Sequence, residues 1–171
     1  MVTTKQTHVQ AMATEFICRN RAATLSTVTP EGKPHSSVVY CVVHSDLTIY
    51  FTTRAEGRKF AALRQNPEVC LLFTGFGTLQ QLQLSGIASR VAGREQQLDL
   101  LHELMKLRYE EENLPRPTVN LLEAGIRKEY AIFKVVPYEM TYANFATAKQ
   151  GMYKPEFVKI ISYHPPPDPH G

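Results

Sequence analysis

The strongest constraint on the fold is a series of short, β-prone apolar segments joined by tight turns. Ala22–Thr29 and Pro34–Val43 are two such segments, and the turn between them contains Pro30 and Gly32. Proline sets the backbone angle for a turn and glycine accepts the positive φ that many turns need. The two segments are therefore predicted to form an antiparallel hairpin.

The same pattern continues along the chain and is interrupted by helical segments. Further strands are predicted at Leu47–Thr53, Val69–Thr74, Thr78–Val91, Glu129–Val136 and Tyr138–Phe145, and helices at Thr4–Arg19, after Gly57, at Arg94–Tyr109 and at Thr118–Lys128. Gly86 lies inside a strand, where glycine often marks a bend or bulge. Six or seven strands in hairpin order predict a mainly β (α+β) fold, a small antiparallel barrel with peripheral helices.

A basic cluster surrounds the predicted start of the second helix. Arg58 and Lys59 follow Gly57 directly, Arg54 lies just upstream, and Thr52–Thr53 end the preceding strand. The positive end of the helix dipole disfavours cations by about 0.3–1 kcal/mol each, whereas it attracts anions. The cluster therefore suggests a phosphate pocket. A solvated basic loop explains the same residues, because basic surface turns are common.

Composition narrows the class of protein. The net charge of +3 and the scattered basic residues do not favour nucleic acid binding. Cys18, Cys41 and Cys70 are far apart, so they predict neither a zinc site nor a disulfide framework. We find no hydrophobic signal core and no membrane-length apolar run, and we expect a cytoplasmic protein that does not bind a membrane.

Common catalytic motifs are missing from the sequence. It contains no GxGxxG, GxxxxGK[ST], GxSxG or HExxH pattern. The six histidines are dispersed and predict no metal site. Demanding chemistry in this chain would therefore depend on a bound cofactor.

Taken together, the segments from Ala22 to about Val91 resemble the pyridoxamine 5′-phosphate oxidase-like family of FMN-binding split β-barrels. The resemblance rests on the turn containing Gly32 and Pro34, the Thr53–Lys59 spacing, the Asn66-Pro67 helix stop and the strand containing Gly86. Each feature is weak alone, but their order and intervals together are specific.

The resemblance implies a homodimer that binds FMN between its subunits and oxidises or reduces a small molecule. Arg58 and Lys59 would hold the phosphate, with Thr52 and Thr53 contacting the phosphate or ribityl chain. The strand containing Ser37, Val38, Val39, Tyr40, Cys41 and Val42 would lie along the flavin ring, and Gln81 would reach the flavin. No catalytic acid or base is identified by the resemblance.

The sequence also departs from the family pattern. Ser37 stands where the oxidase itself has arginine, the chain has no tryptophan, and its C-terminal segment does not match. These departures predict a relative with a different substrate. A non-catalytic flavin-binding protein, a deazaflavin-binding relative and a haem-binding relative using His164 or His170 remain alternatives. We expect one FMN-binding domain over residues 1–145 and a partly docked, proline-rich tail over residues 146–171.

Overall fold

The computed structural model describes residues 4–112, 130–145 and 158–162. This part of the chain contains three helices and seven strands. The helices are α1 (Thr4–Arg19), α2 (Arg58–Gln65) and α3 (Arg94–Glu112), and the strands are β1 (Ala22–Val28), β2 (Pro34–Val43), β3 (Ile49–Arg54), β4 (Glu68–Thr74), β5 (Gln80–Arg90), β6 (Tyr130–Asn144) and β7 (Val158–Ser162). The predicted helix at Thr118–Lys128 lies outside the described residues.

The first hairpin forms as predicted. β1 and β2 pair antiparallel from Ala22 opposite Tyr40 to Val28 opposite Pro34. In the turn, the Gly32 N–H donates to the Thr29 carbonyl at 2.9 Å, and Gly32 has a φ of +75°. A residue with a side chain would be strained in this left-handed conformation, which explains the glycine.

The strands close into an antiparallel barrel. Their order is β3-β2-β1-β4-β5-β6, and β3 pairs with β6 to complete the ring. Closure leaves these six strands without the long unpaired edge of an open sheet. The predicted mainly β barrel with peripheral helices is thus confirmed.

Alternating side chains of the barrel strands fill one main core. The large side chains that are fully buried in it are Ile17, Leu25, Leu47, Ile49, Phe51, Leu71, Phe73, Leu82, Leu84 and Met140. Ile17 comes from α1, which therefore packs against the barrel with an apolar face.

One long strand replaces two that were predicted. The expected break at Pro137 does not occur, and β6 runs continuously through it. The register against β5 shifts between Ser85, opposite Glu139, and Gly86, opposite Pro137, so Tyr138 is the extra residue of a bulge. A bulge accommodates a proline, which cannot donate a ladder hydrogen bond. Gly86 fits here because a Cβ would lie 2.6 Å from the Val136 carbonyl oxygen.

Two different strands pair with one edge of the long strand β6, each with a different part of its length. Residues 130–135 pair with β3, whereas residues 139–143 pair with β7. Val158–Ser162, within the predicted C-terminal tail, thus forms a strand of the sheet. The division into a domain over residues 1–145 and a tail over residues 146–171 stays a prediction.

The third helix packs on the outside of the barrel. Leu100, Leu101 and Leu104 are buried in a second cluster with side chains of β2, β3 and β6. The side chain of His102, on the same helix, is exposed. Within the described residues, no helix has the length and apolar character needed to cross a membrane.

Candidate functional site

The site forms where two neighbouring strands separate. β2 pairs with β3 only from Cys41 to Val43, opposite Phe51 to Ile49. Before Cys41, β2 stays with β1, whereas beyond Phe51, β3 stays with β6. The two strands diverge because each follows a different neighbour, and this opening is the split in the barrel.

A cavity of about 450 Å³ occupies the split. This volume lies in the range of small-molecule and cofactor sites. β2 and β3 form its walls, the start of α2 forms one end, and side chains of α3 and β6 complete it. The lining residues are His35, Val38, Val39, Tyr40, Thr52, Thr53, Arg54, Gly57, Arg58, Lys59, Leu104, Met105 and Tyr130.

Helix α2 begins at the cavity with free backbone donors. Gly57 is the N-cap residue and supplies no side-chain hydrogen bond. The Ala61 N–H donates to the Gly57 carbonyl at 3.1 Å, so the three preceding N–H groups have no partner within the helix. The first turn contains no acidic residue that could offset its positive dipole. This end of α2 is therefore suited to binding an anion.

Among the described residues, three cations and no carboxylate line this end of the cavity. The cations are Arg54, Arg58 and Lys59. Among the described residues, the ion pairs are those of Arg19 with Glu15 and of His44 with Glu103, so the cavity cations belong to neither. Their positive charge is available to a ligand.

Lys59 is the most enclosed of these cations. Burial lowers the pKa of its ammonium group, because the charged form loses hydration. Its Nζ lies 3.5 Å from the Val38 carbonyl oxygen, and so it reaches across the split from α2 to β2. A bound anion would restore the electrostatic stabilisation that the ammonium group loses on burial.

Arg58 lies near an exposed acid outside the cavity. A hydrogen bond from Thr29 lowers the pKa of Glu31, and the charge of Arg58 contributes a smaller lowering. Glu31 is fully exposed on the hairpin turn, so solvent screens this attraction. Arg58 therefore keeps its capacity to bind a ligand.

The structure brings most of the predicted site residues together. Seven of the eleven line the cavity: Val38, Val39, Tyr40, Thr52, Thr53, Arg58 and Lys59. The basic residues at the start of α2 thus face β2, the strand proposed to lie along the flavin ring. The sequence alone could not show that these two segments lie on opposite sides of one cavity. That these residues bind a cofactor stays a prediction.

Four predicted residues do not line the cavity of one protomer. Cys41 is fully buried in the barrel core, and burial raises the pKa of its thiol far above the usual range. Val42 is buried in the second cluster, which contains side chains of α3. Gln81 lies opposite Thr74 in the β4–β5 hairpin, and Ser37 is half-buried on β2.

Other lining residues were missed by the sequence reasoning. Leu104 and Met105 come from α3, and Tyr130 comes from the first position of β6. No local signal marks them, since they reach the cavity only through packing of distant elements. His35 could have been found, because it shares a strand face with Ser37 and Val39 through the two-residue period of a strand.

Two polar atoms on β2 are buried and have no hydrogen-bond partner within the part of the chain that the structure describes. They are Nδ1 of His35 and Oγ of Ser37. Leaving such a group unsatisfied costs about 1–3 kcal/mol, so native proteins usually provide a partner. Both residues belong to the strand that forms one wall of the basic cavity, and His35 itself lines it.

No group of three or more histidine, cysteine or acidic side chains suitable for a metal ion occurs within the described part of the chain. The tail histidines considered for haem, His164 and His170, lie outside that part.

Fold and site together define a class: split β-barrels with a basic pocket at a helix start. Comparison with known proteins agrees with this class. The family model described as pyridoxamine 5′-phosphate oxidase matches residues 9–144. The chain therefore belongs to the pyridoxamine 5′-phosphate oxidase family.

Curated relatives share only part of their length with this chain. The pyridoxine/pyridoxamine 5′-phosphate oxidase of Leptospira interrogans is 35% identical over 81 residues, which are 47% of this chain and 37% of the relative. The matched segment is thus little more than a third of that enzyme.

Solved structures show the shared fold over a larger part of the chain. A conserved hypothetical protein from Mycobacterium tuberculosis is 22% identical, with a TM-score of 0.63 over 85% of this chain and 92% of that protein. A pyridoxamine 5′-phosphate oxidase-related, FMN-binding protein from Nostoc punctiforme is 16% identical, with a TM-score of 0.59 over 91% and 95%. An F420 reductase is 17% identical, with a TM-score of 0.58 over 74% and 93%. At these identities the likeness concerns the fold.

Proposed function

We propose that this protein is an FMN-dependent oxidoreductase that acts on a small molecule. The observation that carries the proposal is the basic end of the cavity, where Arg58, Lys59 and the free N–H groups of α2 meet and no described lining residue is a carboxylate. This is the donor set that a terminal phosphate requires. Bound FMN would supply the redox chemistry, because it can accept and pass on two electrons.

The protein's part in this function is to position the cofactor. Arg58 and Lys59 would hold the phosphate from α2, and Thr52 and Thr53, which line the same cavity, would contact the phosphate or the adjoining chain. The flavin ring would lie along β2, where Val38 is 63% exposed and presents an apolar surface. Backbone groups of Ser37 to Val42 would hydrogen-bond the ring edge.

The wall of the cavity that α3 forms would limit access of water to the flavin ring. Leu104 and Met105 are apolar and project from α3 into the cavity. Apolar side chains beside a reacting centre exclude water and strengthen the electrostatic interactions inside the site. The substrate would then enter through the open side of the split.

We further propose a homodimer with the cofactor at the interface. Gln81 does not line the cavity of its own protomer. The apolar side chain of Val38 lines the cavity and is largely exposed. A second copy covering this opening would bury Val38 and could bring Gln81 to the cofactor. We expect the dimer to act in the cytoplasm.

The phosphate assignment is tested by titrating the protein with FMN and following flavin fluorescence. Arg58→Ala combined with Lys59→Ala removes two charge-assisted contacts, each contributing about 1.5–3 kcal/mol, so the dissociation constant should rise more than about 100-fold. Arg64→Ala is the matched control, since Arg64 is a cation in the last turn of the same helix and does not line the cavity. Unchanged FMN affinity in the double variant would refute the assignment.

Turnover distinguishes an enzyme from a flavin-binding protein. In an enzyme, NAD(P)H or another donor bleaches the visible absorption of bound FMN, and an acceptor restores it repeatedly. Bound FMN that survives a panel of donors without bleaching would support the non-catalytic alternative.

A deazaflavin is the second candidate cofactor, because an F420 reductase shares the fold. Both cofactors carry a phosphate that the same cluster can bind. Competition decides between them: if a deazaflavin displaces FMN at lower concentration, the cofactor proposal is wrong while the phosphate site stands.

A further inference from the structure

We propose that His35 is an additional anion-binding residue, which donates a hydrogen bond from Nε2 to the phosphate across the split from Arg58 and Lys59. The cofactor part of this inference rests on the proposed function. The anion-binding part rests on the surroundings of His35 alone.

His35 is fixed at the basic end of the cavity. Its backbone carbonyl accepts a hydrogen bond from Thr27 Oγ1 at 3.3 Å, within the paired part of β1 and β2. It lines the main cavity together with Arg58, and the same two residues line an adjoining cavity of about 510 Å³ beside the hairpin turn. His35 and Arg58 therefore stand at the boundary between the two cavities.

The unpaired ring nitrogen sets which nitrogen carries the proton. Nδ1 is buried, and no described group bonds to it. An enclosed N–H without an acceptor is less tolerable than an enclosed lone pair without a donor. The neutral ring therefore carries its proton on Nε2, which becomes a donor.

Nε2 is the nitrogen that a ligand can reach. It is not among the buried atoms without partners, and no hydrogen bond to it occurs within the described residues. His35 lines the main cavity, where the charged side chains among the described residues are Arg54, Arg58 and Lys59, and also the adjoining cavity, which Glu31 and Lys33 line as well. In the main cavity, a donor among cations, with no carboxylate among the described lining residues, favours an anionic acceptor.

The consequence is a phosphate held from both sides of the split. Arg58 and Lys59 approach from α2, and His35 approaches from β2. A ligand without a phosphate leaves the donors on both sides of the split unpaired. Contacts from two elements therefore discriminate against such a ligand more strongly than contacts from one element do.

The test compares FMN with riboflavin, which has the same ring and lacks the phosphate. His35→Phe keeps a planar ring without a donor, and His35→Gln restores an uncharged N–H donor. We expect His35→Phe to weaken FMN binding about 10-fold or more and to leave riboflavin binding within about two-fold. His35→Gln should recover part of the loss, and His102→Phe, a change at an exposed histidine of α3, should alter neither affinity.

An equal loss for FMN and riboflavin in His35→Phe, or no loss for either, would overturn the inference, because the ring would then only pack. A second measurement separates it from the cofactor assignment: the ¹⁵N resonances of the His35 ring during titration of the wild-type protein with inorganic phosphate. A saturable shift at Nε2 without FMN binding would support the anion site and contradict the FMN proposal. No shift with phosphate and no FMN binding would contradict both.

Discussion

Lys59→Met should stabilise the ligand-free protein while weakening its binding of FMN. Lys59 is a half-buried cation in the first turn of α2, and burial lowers its pKa. Methionine keeps the apolar stem and removes the charge from the positive end of the helix dipole. The dipole contribution alone is about 0.3–1 kcal/mol, which for a domain of this size raises the midpoint of thermal unfolding by about 1–4 °C.

The same substitution removes a charge-assisted contact to the phosphate. Such a contact contributes about 1.5–3 kcal/mol, so FMN affinity should fall by about 10- to 150-fold. Thermal unfolding without ligand and fluorescence titration with FMN measure the two effects. Arg64→Met is the control of opposite sign, because Arg64 lies in the last turn of α2, where a cation is favourable, and also lies over the Phe60 ring at 5.9 Å. It should lower the midpoint and leave FMN affinity unchanged.

The stabilisation should depend on pH in a defined direction. The folded pKa of Lys59 lies below its ordinary value of 10.5, so the unfolded chain binds more protons between these two values. Stability of the wild-type protein therefore rises with pH in that window, where the cost of the buried charge is relieved. The advantage of Lys59→Met should be complete at neutral pH and shrink above the folded pKa. A lower midpoint for Lys59→Met at neutral pH, or unchanged FMN affinity, would refute this account of the site.

Two further predictions concern the fold. Gly86→Ala places a Cβ about where the Val136 carbonyl oxygen and the Val135 side chain already lie, at 2.6 and 2.8 Å, and should lower the free energy of unfolding by about 1–3 kcal/mol in denaturant titrations. Ser89→Ala, at an exposed position of the same strand, should change it by less than about 0.5 kcal/mol, and equal effects would contradict the close approach at Gly86. With a thiol reagent, exposed Cys18 should react rapidly in the native protein, half-buried Cys70 slowly, and Cys41 only after unfolding, since it is fully buried and its thiol pKa is strongly raised. Rapid native labelling of Cys41 would show that the barrel core is more open than described.

Local sequence signals predicted elements well where the cause was local. The hairpin turn at Gly32, the helix α2 between Gly57 and Pro67, and the bulge-prone Gly86 were all visible because turn, cap and bend residues act on their immediate neighbours. Predictions were wrong where the packing of segments far apart in sequence determines the backbone conformation. Leu47 was assigned to a strand, but it takes a left-handed conformation with φ of 64° in the preceding turn, and β3 begins at Ile49. Pro137 was read as a strand break, but pairing with Gly86 turns it into part of a bulge.

The candidate site shows the same division. The clustering of Arg58 and Lys59 at a helix start depends on neighbouring residues, so the sequence alone determined that an anion site could exist there. The place of that cluster opposite β2 depends on barrel closure, which sets β3 beside β6 and opens the split. Barrel closure also determines which side chains reach the cavity. It brings in Leu104, Met105 and Tyr130, and it leaves Cys41 and Val42 buried elsewhere. Charge and turn preference are encoded along the chain, whereas the walls of a cavity come from residues far apart in sequence, and only the tertiary structure brings them together.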